Sequence, residues 1–324
     1  MGSEMCIRDS YCAAQHMLNE PPCFPFAPVS RTTPPMHIER FAPSPTGPLH
    51  LGHAYSAWCG WSRARAAGGR FLLRLEDLDT ARVRPEWSTL ILEDLRWLGL
   101  DWDGPVLAQS ARTDAYASAL DTLLDRGLFY ACTCTRRDIR DAISAPQEGH
   151  TPALGPDGPI YPGTCRNAGH ALTADAALRL DIAKAIDALE EDPNLDFHEL
   201  GEGPAGESGE IAVNASSLQA TTGDVVLRRR DGAPAYHLAV VIDDAHQSVT
   251  HVTRGIDLFS SVPIQRLLQR LLGLPAPLYC HHGLVRDAEG KRLAKRDVAR
   301  AIATYRADGL TPADVRALAG IPDF

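Results

Sequence analysis

The chain has 324 residues, of which 44% are hydrophobic and 23% are charged, and its formal net charge at pH 7 is −9. A chain of this length can form a large core divided between two lobes, because domains usually contain roughly 100–200 residues. The acidic balance argues against a protein that coats nucleic acid nonspecifically, but it is compatible with a local basic face for RNA. No apolar run approaches the roughly 18 residues that span a bilayer. The composition therefore predicts a soluble globular protein.

The first 36 residues contain the proline-rich stretches PPCFPF and TTPP and no regular apolar period. They also lack the basic segment and continuous apolar segment of a secretory signal. We therefore interpret residues 1–36 as a disordered extension or a misassigned start, with Met36 as the true first residue. The eight cysteines do not form a disulfide framework, which fits a reducing compartment and predicts a cytoplasmic protein.

The segment that follows predicts a strand, a rigid loop and the beginning of a helix. Residues 38–42 alternate as a strand end does, and the three prolines that follow exclude regular structure because proline lacks an N–H. After Gly52, apolar residues recur at helical spacing. Such a helix points unpaired N–H groups and the positive end of its dipole at an anion. His50 and His53 lie in this turn, which favours a nucleotide-phosphate site over a helix-capping loop with two surface histidines.

Residues 71–75 predict a second strand that is buried and therefore parallel. A strand, helix, strand order is typical of the α/β class with a right-handed crossover. Ligands of such sheets bind beyond the carboxyl ends of the strands. Residues 40–44 and 76–79 both fall at such ends, so we expect His50, His53 and Glu76 to face one cleft.

The remaining elements continue this pattern. Helices are predicted over residues 85–99, 111–126 and 263–272. Strands are predicted over residues 128–131, 222–228, 235–243, 249–254 and 278–284. An acidic, glycine-rich loop region is predicted over residues 192–210. We interpret residues 128–220 as an insertion between two halves of one sheet, which lie in residues 37–127 and 221–324.

Three of the cysteines are grouped: Cys132, Cys134 and Cys165. Thiolates bind zinc at about 2.3 Å, and four ligands normally close a structural site. Tyr161, four residues before Cys165, is one candidate for the fourth ligand. The other candidates are His150 and His170. The C-x-C spacing favours one structural Zn²⁺ over three unrelated free cysteines.

The charged residues at the strand ends suit a small dicarboxylic amino acid. Glu76 can hold an ammonium group, while Arg40 and Arg254 can each grip a carboxylate bidentately. Tyr236, predicted to begin a strand, can donate a hydrogen bond to the same substrate. Ordinary ion pairs are the alternative explanation for these charges. Late in the chain, the basic residues 291–296 follow a tight turn and are suited to clamp a polyphosphate.

Together these features resemble the class I aminoacyl-tRNA synthetases and, in their details, the glutamyl branch. Residues 40–47 (RFAPSPTG) resemble the amino-acid loop of that branch, residues 50–53 (HLGH) its "HIGH" signature, and residues 292–296 (RLAKR) its "KMSKS" signature. Further blocks match at residues 73–79, 236–244 and 252–255. The second signature has Arg292 in place of lysine and Ala294 in place of serine. Because the charge at 292 and Lys295 are kept, we still expect activity.

Only 28 residues follow Arg296, whereas a full glutamyl-tRNA synthetase continues with a large helical domain. With the grouped cysteines, the chain is similar to the truncated paralogues of that branch, the glutamyl-queuosine tRNA(Asp) synthetases. The resemblance implies an α/β class I synthetase fold with a Rossmann-type parallel sheet, an inserted zinc-bearing α+β subdomain and no anticodon-binding domain. It also implies activation of L-glutamate with ATP without tRNA, followed by transfer to the queuosine of tRNA(Asp).

The resemblance assigns the following roles. Glutamate is bound by Arg40, Phe41, Ala42, Pro43, Ser44, Glu76, Tyr236 and Arg254. ATP is bound by His50, Gly52, His53, Arg292 and Lys295, of which His50, His53 and Lys295 are catalytic. Zinc is bound by Cys132, Cys134, Tyr161 and Cys165. Mg²⁺ arrives with ATP, the other partners are L-glutamate and queuosine-containing tRNA(Asp), and we expect a monomer without a membrane partner.

Three other functions remain open at this point. The first is a catalytic fragment of a glutamyl-tRNA synthetase, which would need tRNA for activation. The second is a non-catalytic RNA-binding regulatory paralogue, which predicts loss of His50, His53 or Lys295, although all three are present. The third is a zinc-dependent hydrolase, which is disfavoured because no acid/base pair adjoins the cysteines.

Overall fold

The computed structural model describes residues 36–143, 154–190, 192–285 and 300–321. The predictions for residues 1–35, His150, Arg292 and Lys295 therefore lie outside the described residues. The strands are β1 (Ile38–Phe41), β2 (Arg70–Leu75), β3 (Leu107–Ala108), β4 (Phe129–Cys132), β5 (Leu154–Gly155), β6 (Gly158–Pro159), β7 (Ala177–Leu180), β8 (Phe197–Glu199), β9 (Gly209–Ile211), β10 (Val226–Arg228), β11 (His251–Gly255) and β12 (Leu278–His282). The α-helices are α1 (Leu51–Ala66), α2 (Pro85–Trp97), α3 (Thr113–Asp125), α4 (Arg136–Ile143), α5 (Ile182–Asp187), α6 (Leu218–Thr221), α7 (Tyr236–His246), α8 (Val262–Leu271), α9 (Ile302–Ala307) and α10 (Pro312–Ala319).

A mainly parallel arrangement of strands forms the centre of the molecule. β1 pairs in parallel with β2, and β2 pairs in parallel with β3. β11 pairs in parallel with β12, β12 with β8, and β8 is antiparallel to β9. The N–H of Thr250, just before β11, donates to the carbonyl of Ile38 on β1 at 3.0 Å, so the two groups of strands lie side by side. The predicted α/β class with parallel strands is confirmed.

Helix α1 connects β1 to β2 and packs on them with its buried face. The buried side chains of this helix include Ala54, Ala57, Trp58 and Ala64, at the spacing predicted from the sequence. They share one core with α2 and α10. A helix fixed in this way at the edge of the sheet has a defined N-terminus, which is where the two signature histidines lie.

Two of the predicted elements were wrong. The predicted strand at 235–243 is helix α7, and Tyr236 is its first residue. The error has a physical origin, because α7 is covered by α3 and α8 and is apolar over most of its surface. An apolar run that is buried all round does not distinguish a strand from a helix. The predicted loop at 192–210 contains β8 and β9, whose polar and glycine-rich sequence gives little strand signal.

A second, antiparallel sheet follows the order β10, β7, β4, and β5 and β6 form a separate hairpin. β10 lies beyond residue 220 in the sequence but pairs with β7, while β8 lies before residue 220 but pairs with β12. Each of the two sheets therefore contains strands from both sides of residue 220. Among the described helices, none is long and apolar enough to cross a membrane.

Candidate active site

A cavity of about 440 Å³ opens at the carboxyl ends of β1, β2 and β11, beside the N-terminus of α1. The predicted site residues that line it are Arg40, Phe41, Ala42, Pro43, Ser44, His50, Gly52, His53, Glu76, Tyr236 and Arg254. Every predicted glutamate-binding residue and every described ATP-binding residue thus faces one space. Other lining residues that the sequence did not single out are Ser56, Thr253, Gly255, Asp257, Leu258, His282, Leu284 and Val285.

The proline-rich loop is fixed to the second strand end by a backbone contact. The N–H of Glu76 donates to the carbonyl of Pro43 at 3.0 Å. Because the prolines fix their own φ angles, this contact is enough to hold the loop against the sheet. Glu76 and the loop from Ala42 to Ser44 are therefore kept on the same wall of the cavity.

The two histidines cap the helix that they precede and begin. His50 is the N-cap of α1, and its Nδ1 accepts the N–H of Gly52 at 3.1 Å. The Nδ1 of His53 accepts the N–H of His50 at 3.2 Å. Since both Nδ1 atoms are acceptors, the proton of each neutral imidazole lies on Nε2. The capping loop and the phosphate site, which the sequence offered as alternatives, are thus compatible, because capping leaves Nε2–H as the donor.

Gly52 lies directly beside the capping ring of His50. A Cβ at this position would lie 3.1 Å from Cε1 and 3.2 Å from Nδ1 of His50, which is tighter than ordinary van der Waals contact. Gly52 therefore leaves room for the capping ring of His50.

A buried carboxylate that the sequence analysis missed holds Arg40 in place. Arg40 donates through Nε to Oδ1 of Asp244 on α7 at 3.1 Å, and Nη1 of Arg74 donates to the same oxygen at 2.8 Å. Burial raises the pKa of Asp244, but the two guanidinium groups outweigh it, and the net pKa is lowered. Among the described residues, this hydrogen bond of Arg40 is made through Nε, and Arg40 also lines the cavity.

Glu76 faces the same charges from β2. Nη2 of Arg74 lies 3.5 Å from Oε1 of Glu76. Burial raises the pKa of Glu76 above its ordinary value, although Arg74 and Arg40 act in the opposite direction. A carboxylate that is partly desolvated attracts a cation more strongly than one in water. This position is suited to an ammonium group.

Arg254 is more constrained than the sequence predicted. Its Nη1 donates to Tyr236 Oη at 3.3 Å and to Gln265 Oε1 at 3.0 Å, and its Nη2 donates to the Leu258 carbonyl at 3.1 Å. Its Nε donates to Nε2 of His281 at 3.0 Å. Four of the five guanidinium N–H donors are therefore used inside the protein. The bidentate grip by Arg254 stays a prediction, and one N–H, on Nη2, has no partner among the described residues.

The KMSKS-like segment is outside the described residues, and the nearest described residues before and after it are 285 and 300. Val285 lines the cavity just before residue 286. After residue 299 the chain returns beside the signature histidine, where Ala301 forms a β-bridge with His50 and Ile302 N–H donates to the carbonyl of Leu49 at 2.9 Å. The described residues on both sides of residues 286–299 therefore lie beside the cavity.

The grouped cysteines come together at the end of β4. The Sγ atoms of Cys132, Cys134 and Cys165 lie within 4.8 Å of one another. Tyr161 Oη is 3.5 Å from Sγ of Cys132 and 3.5 Å from Sγ of Cys134. Burial raises the pKa of Cys134 to about 11. Burial also opposes ionisation of Cys165, but hydrogen bonds from Tyr161 and its other neighbours lower its pKa to about 6.

This donor set fits a tetrahedral zinc ion. Sulfur ligands about 2.3 Å from zinc lie about 3.8 Å apart, and the Cys134 and Cys165 sulfurs are 3.4 Å apart. Tyr161 is in direct contact with the group, whereas His170 Nε2 lies 3.4 Å from Thr133 Oγ1 on the exposed surface. Of the two described candidates for the fourth ligand, the geometry favours Tyr161.

Arg228 and Arg229 form hydrogen bonds within the protein. Arg228 donates to the carbonyls of Thr173 and Ala176, and Arg229 donates to that of Leu78. These side chains tie the second sheet to neighbouring loops. In contrast, α4 has no buried residue and presents its arginines on the surface, with Arg137 paired to its own helix neighbour Asp141.

The family is identified by comparison with known sequences. A family model described as tRNA synthetases class I (E and Q), catalytic domain, matches residues 38–166 and 208–319. The chain therefore belongs to the class I tRNA synthetase family, and it is a ligase of the aminoacyl-tRNA synthetase type. The α/β fold with its parallel strands is the catalytic fold of that family.

The curated relatives identify a smaller group within this family. A protein of Rhodobacter capsulatus named Glutamyl-Q tRNA(Asp) synthetase is 55% identical over 290 residues, which cover 88% of this chain and 100% of the relative. A Nocardia farcinica protein of the same name is 46% identical over 290 residues, which cover 86% of this chain and 82% of the relative. Within its family, the chain is a member of the glutamyl-Q tRNA(Asp) synthetase group.

A solved structure supports the same fold. The crystal structure of a glutamate tRNA ligase from Elizabethkingia meningosepticum in complex with its amino acid superimposes with a TM-score of 0.67 at 29% sequence identity. The match covers 87% of this chain and 60% of that one. This chain thus spans about 60% of the length of that solved structure.

Proposed function

We propose that this protein activates L-glutamate with ATP in the absence of tRNA and transfers the glutamyl group to the queuosine of tRNA(Asp). The observation that carries the proposal is the single cavity, in which the carboxyl ends of three parallel strands meet the N-terminus of α1. The names of the relatives support both the amino acid and the acceptor.

The amino acid would lie against the strand ends. Glu76 would bind the α-ammonium group, because its partly desolvated carboxylate attracts a cation. Arg40 presents the end of its guanidinium to a carboxylate, a geometry that suits bidentate binding. Arg254 and Tyr236 would bind glutamate from the opposite strand end, with a single N–H and a phenol that burial keeps protonated by raising its pKa.

The reaction needs no covalent intermediate with the enzyme. An oxygen of the glutamate α-carboxylate attacks the α-phosphorus of ATP, the bond to the bridging oxygen breaks, and pyrophosphate leaves with that electron pair. The Nε2–H groups of His50 and His53 would donate to the α-phosphoryl oxygens as their charge increases. Arg292 and Lys295 would contact the polyphosphate, and Mg²⁺ would enter with ATP.

In the second step, a hydroxyl of the cyclopentenediol of queuosine attacks the activated carbonyl. An ester forms, AMP leaves, and the hydroxyl proton is released. The protein would contribute mainly by positioning the two reactants and excluding water. Zinc bound by Cys132, Cys134, Tyr161 and Cys165 would stabilise the fold of the inserted subdomain. We further propose that the protein acts as a monomer in the cytoplasm.

The first experiment is exchange of radiolabelled pyrophosphate into ATP without tRNA, tested with each amino acid. Exchange that requires glutamate alone is expected. Exchange that appears only after tRNA is added would instead support a glutamyl-tRNA synthetase fragment. No exchange by folded protein under either condition would support the regulatory paralogue.

The acceptor is tested separately. Labelled glutamate should be transferred to an anticodon stem-loop of tRNA(Asp) that contains queuosine, and not to the same stem-loop with guanosine in its place. Because the stem-loop has no acceptor end, transfer to it cannot come from aminoacylation of a tRNA 3′ end. Transfer only to intact tRNA regardless of queuosine would contradict the proposed acceptor.

A further inference from the structure

Behind the cavity, Arg254 is connected to two buried residues that the reaction itself does not use. Nε of Arg254 donates to Nε2 of His281 on β12 at 3.0 Å. Nδ1 of His281 lies 2.6 Å from Oε2 of Glu199 on β8. The side chains of His281 and Glu199 are both fully buried, with 0% exposure. Three neighbouring parallel strands thus contribute one residue each to a continuous chain of hydrogen bonds.

The direction of these hydrogen bonds is determined by the chemistry of arginine. A guanidinium group only donates, so Nε2 of His281 must be an acceptor without a proton. The proton of the neutral imidazole therefore lies on Nδ1 and is donated to the Glu199 carboxylate. The tautomer of His281 is the opposite of the one that the structure indicates for His50 and His53, whose Nδ1 atoms accept.

Glu199 is itself held in one orientation. Its Oε1 accepts the backbone N–H groups of His281 and Gly201, each at 2.8 Å. This leaves Oε2 to face the imidazole. Gly201 permits the approach, because a Cβ at that position would lie only 2.2 Å from the carbonyl oxygen of His281. The backbone therefore determines which carboxylate oxygen His281 meets.

Burial, together with the positive charge of Arg254, keeps the imidazole of His281 neutral. Burial lowers the pKa of His281, and the positive charge of Arg254 and the neighbouring His282 add to this effect, while Glu199 opposes it. Burial raises the pKa of Glu199, but its hydrogen bonds with His281 lower it to a net value below the ordinary one. An ionised Glu199 beside a neutral His281 is thus the stable state. The other rings next to His281 are those of Tyr279 and Phe259.

We propose that Glu199 and His281 are positioning residues that orient Arg254 for glutamate through the tautomer of His281. The inference rests on the proposed role of Arg254 in glutamate binding. With four donors held by the protein, the direction of the remaining N–H is set by the orientation of the whole guanidinium. Without an acceptor at Nε2 of His281, the Nε of Arg254 would lose its hydrogen bond. The guanidinium could then rotate, and its remaining N–H would point in another direction.

Two substitutions of His281 test its hydrogen-bond acceptor and its hydrogen-bond donor separately. In His281→Gln, the side-chain carbonyl can reach the position of Nε2 and accept from Arg254. In His281→Asn, the shorter amide reaches only the position of Nδ1, so it can donate to Glu199 but offers Arg254 no acceptor. We expect His281→Asn to raise the KM for glutamate on the order of 10-fold and His281→Gln to restore it to within about threefold of the wild type.

Glu199→Gln tests the tautomer with almost no change in shape. Its amide oxygen must accept the two backbone N–H groups, so its NH₂ faces Nδ1 of His281. His281 then carries its proton on Nε2, where it opposes the N–H of Arg254. We expect the KM for glutamate to rise on the order of 10-fold, with the KM for ATP unchanged within about twofold.

Asp224→Asn is the matched control for loss of a buried carboxylate. Asp224 is 1% exposed and binds Tyr130 and Arg166 near the second sheet, away from Arg254. Melting temperatures are measured for every variant, and glutamate binding is also measured by calorimetry. If Asp224→Asn raised the KM for glutamate as much as Glu199→Gln at equal loss of stability, the effect would be general destabilisation and the proposal would be overturned.

A measurement without turnover completes the test. Nitrogen-15 NMR of labelled histidine should show the wild-type His281 protonated at Nδ1 and the Glu199→Gln variant protonated at Nε2. A wild-type His281 protonated at Nε2 would overturn the proposal. Wild-type protein that binds no glutamate would contradict the proposed function instead. Unchanged glutamate binding in Glu199→Gln, with a tautomer that has switched, would contradict only the positioning role.

Discussion

Arg40 on β1 and Asp244 on α7 are 204 residues apart in sequence, and they meet through a buried hydrogen bond of 3.1 Å between Nε and Oδ1. Asp244 receives a second hydrogen bond, from Arg74, so one carboxylate balances two guanidinium groups beside the cavity. This arrangement uses the inner edge of Arg40 for structure. It leaves the outer end for a ligand, which is what a carboxylate-binding arginine needs.

We therefore expect Asp244→Asn to weaken glutamate binding. An amide would remove the negative charge to which Arg40 and Arg74 both donate, and we predict an increase in the KM for glutamate on the order of 10- to 100-fold. The neighbouring Asp243→Asn is the matched control. Asp243 is also buried, but it binds Gln109, Arg112 and Tyr116 instead. It should lower the melting temperature with little change in that KM, and equal KM effects of the two variants would refute the prediction.

His50 offers a substitution that separates helix capping from phosphate binding. Asparagine is among the best N-cap residues, so His50→Asn should keep the hydrogen bond to the N–H of Gly52. It lacks the Nε2–H donor, and loss of one such donor typically reduces kcat about 10²- to 10³-fold. We expect that reduction in steady-state exchange rates, with the melting temperature and the KM for glutamate almost unchanged.

The control for this prediction is His50→Ala, which removes both functions. It should lose the same activity and, in addition, about 1 kcal/mol of stability from the missing cap. If His50→Asn retained wild-type kcat, His50 would be a cap alone and the phosphate role would be excluded.

The cysteine group should hold one zinc ion per chain in protein purified without chelator. Cys132→Ser, Cys134→Ser and Cys165→Ser should each lose most of that metal when it is measured by mass spectrometry, because a thiolate ligand is removed. Cys59 and Cys280 lie outside the group and are free thiols, so their serine variants are the controls. Removal of the metal should lower the melting temperature, since binding energy is available only to the folded state.

Tyr161→Phe examines the fourth ligand. It keeps the ring, which lies under the Arg179 guanidinium at 3.8 Å, but removes the oxygen that faces the sulfurs. Weaker zinc retention during dialysis against a chelator is expected. Retention equal to that of the wild type would indicate that another residue completes the site.

We expect the buried carboxyl group of Asp94 to make the stability of the folded protein depend on pH. It is fully buried on α2, and neither carboxylate oxygen has a hydrogen-bond partner within the described residues; Arg306 Nη2 lies 3.5 Å away. Burial raises its pKa to about 6. A carboxyl whose pKa is higher in the folded state stabilises the fold below its unfolded pKa, and this contribution is lost as the pH rises through about 6.

Asp94→Asn cannot ionise, so its unfolding free energy relative to that of the wild type should increase between pH 4.5 and pH 7.5. At the higher pH, the variant should be more stable by about 1 kcal/mol or more in urea denaturation. Glu86→Gln is the control, because Glu86 lies in the first turn of the same helix with its side chain exposed and is not among the groups that act on Asp94. A difference that did not change with pH would show that Asp94 is not the titrating group.

Features that depend on residues close together in the chain could be predicted from the sequence. The proline-rich loop, the His50–His53 turn and the parallel strands on either side of α1 could all be predicted, because the backbone preferences of proline and glycine and the apolar period act locally. The C-x-C pair could be found for the same reason, since its spacing is a short-range pattern. Cys165 lies 31 residues beyond Cys134 and could be added to the pair only by its residue type.

Features that depend on contacts between distant segments became visible only in the tertiary structure. Asp244, His281 and Glu199 were given no role from the sequence, because each acts through a partner on a distant segment. Asp244 binds Arg40, His281 binds Arg254, and Glu199 binds His281. Helix α7 resembled a strand, because burial on all sides removes the polar face that reveals a helical period. The number of donors that Arg254 offers to a ligand was likewise decided by its neighbours, since a buried guanidinium must satisfy its hydrogen bonds within the fold before it can bind anything else.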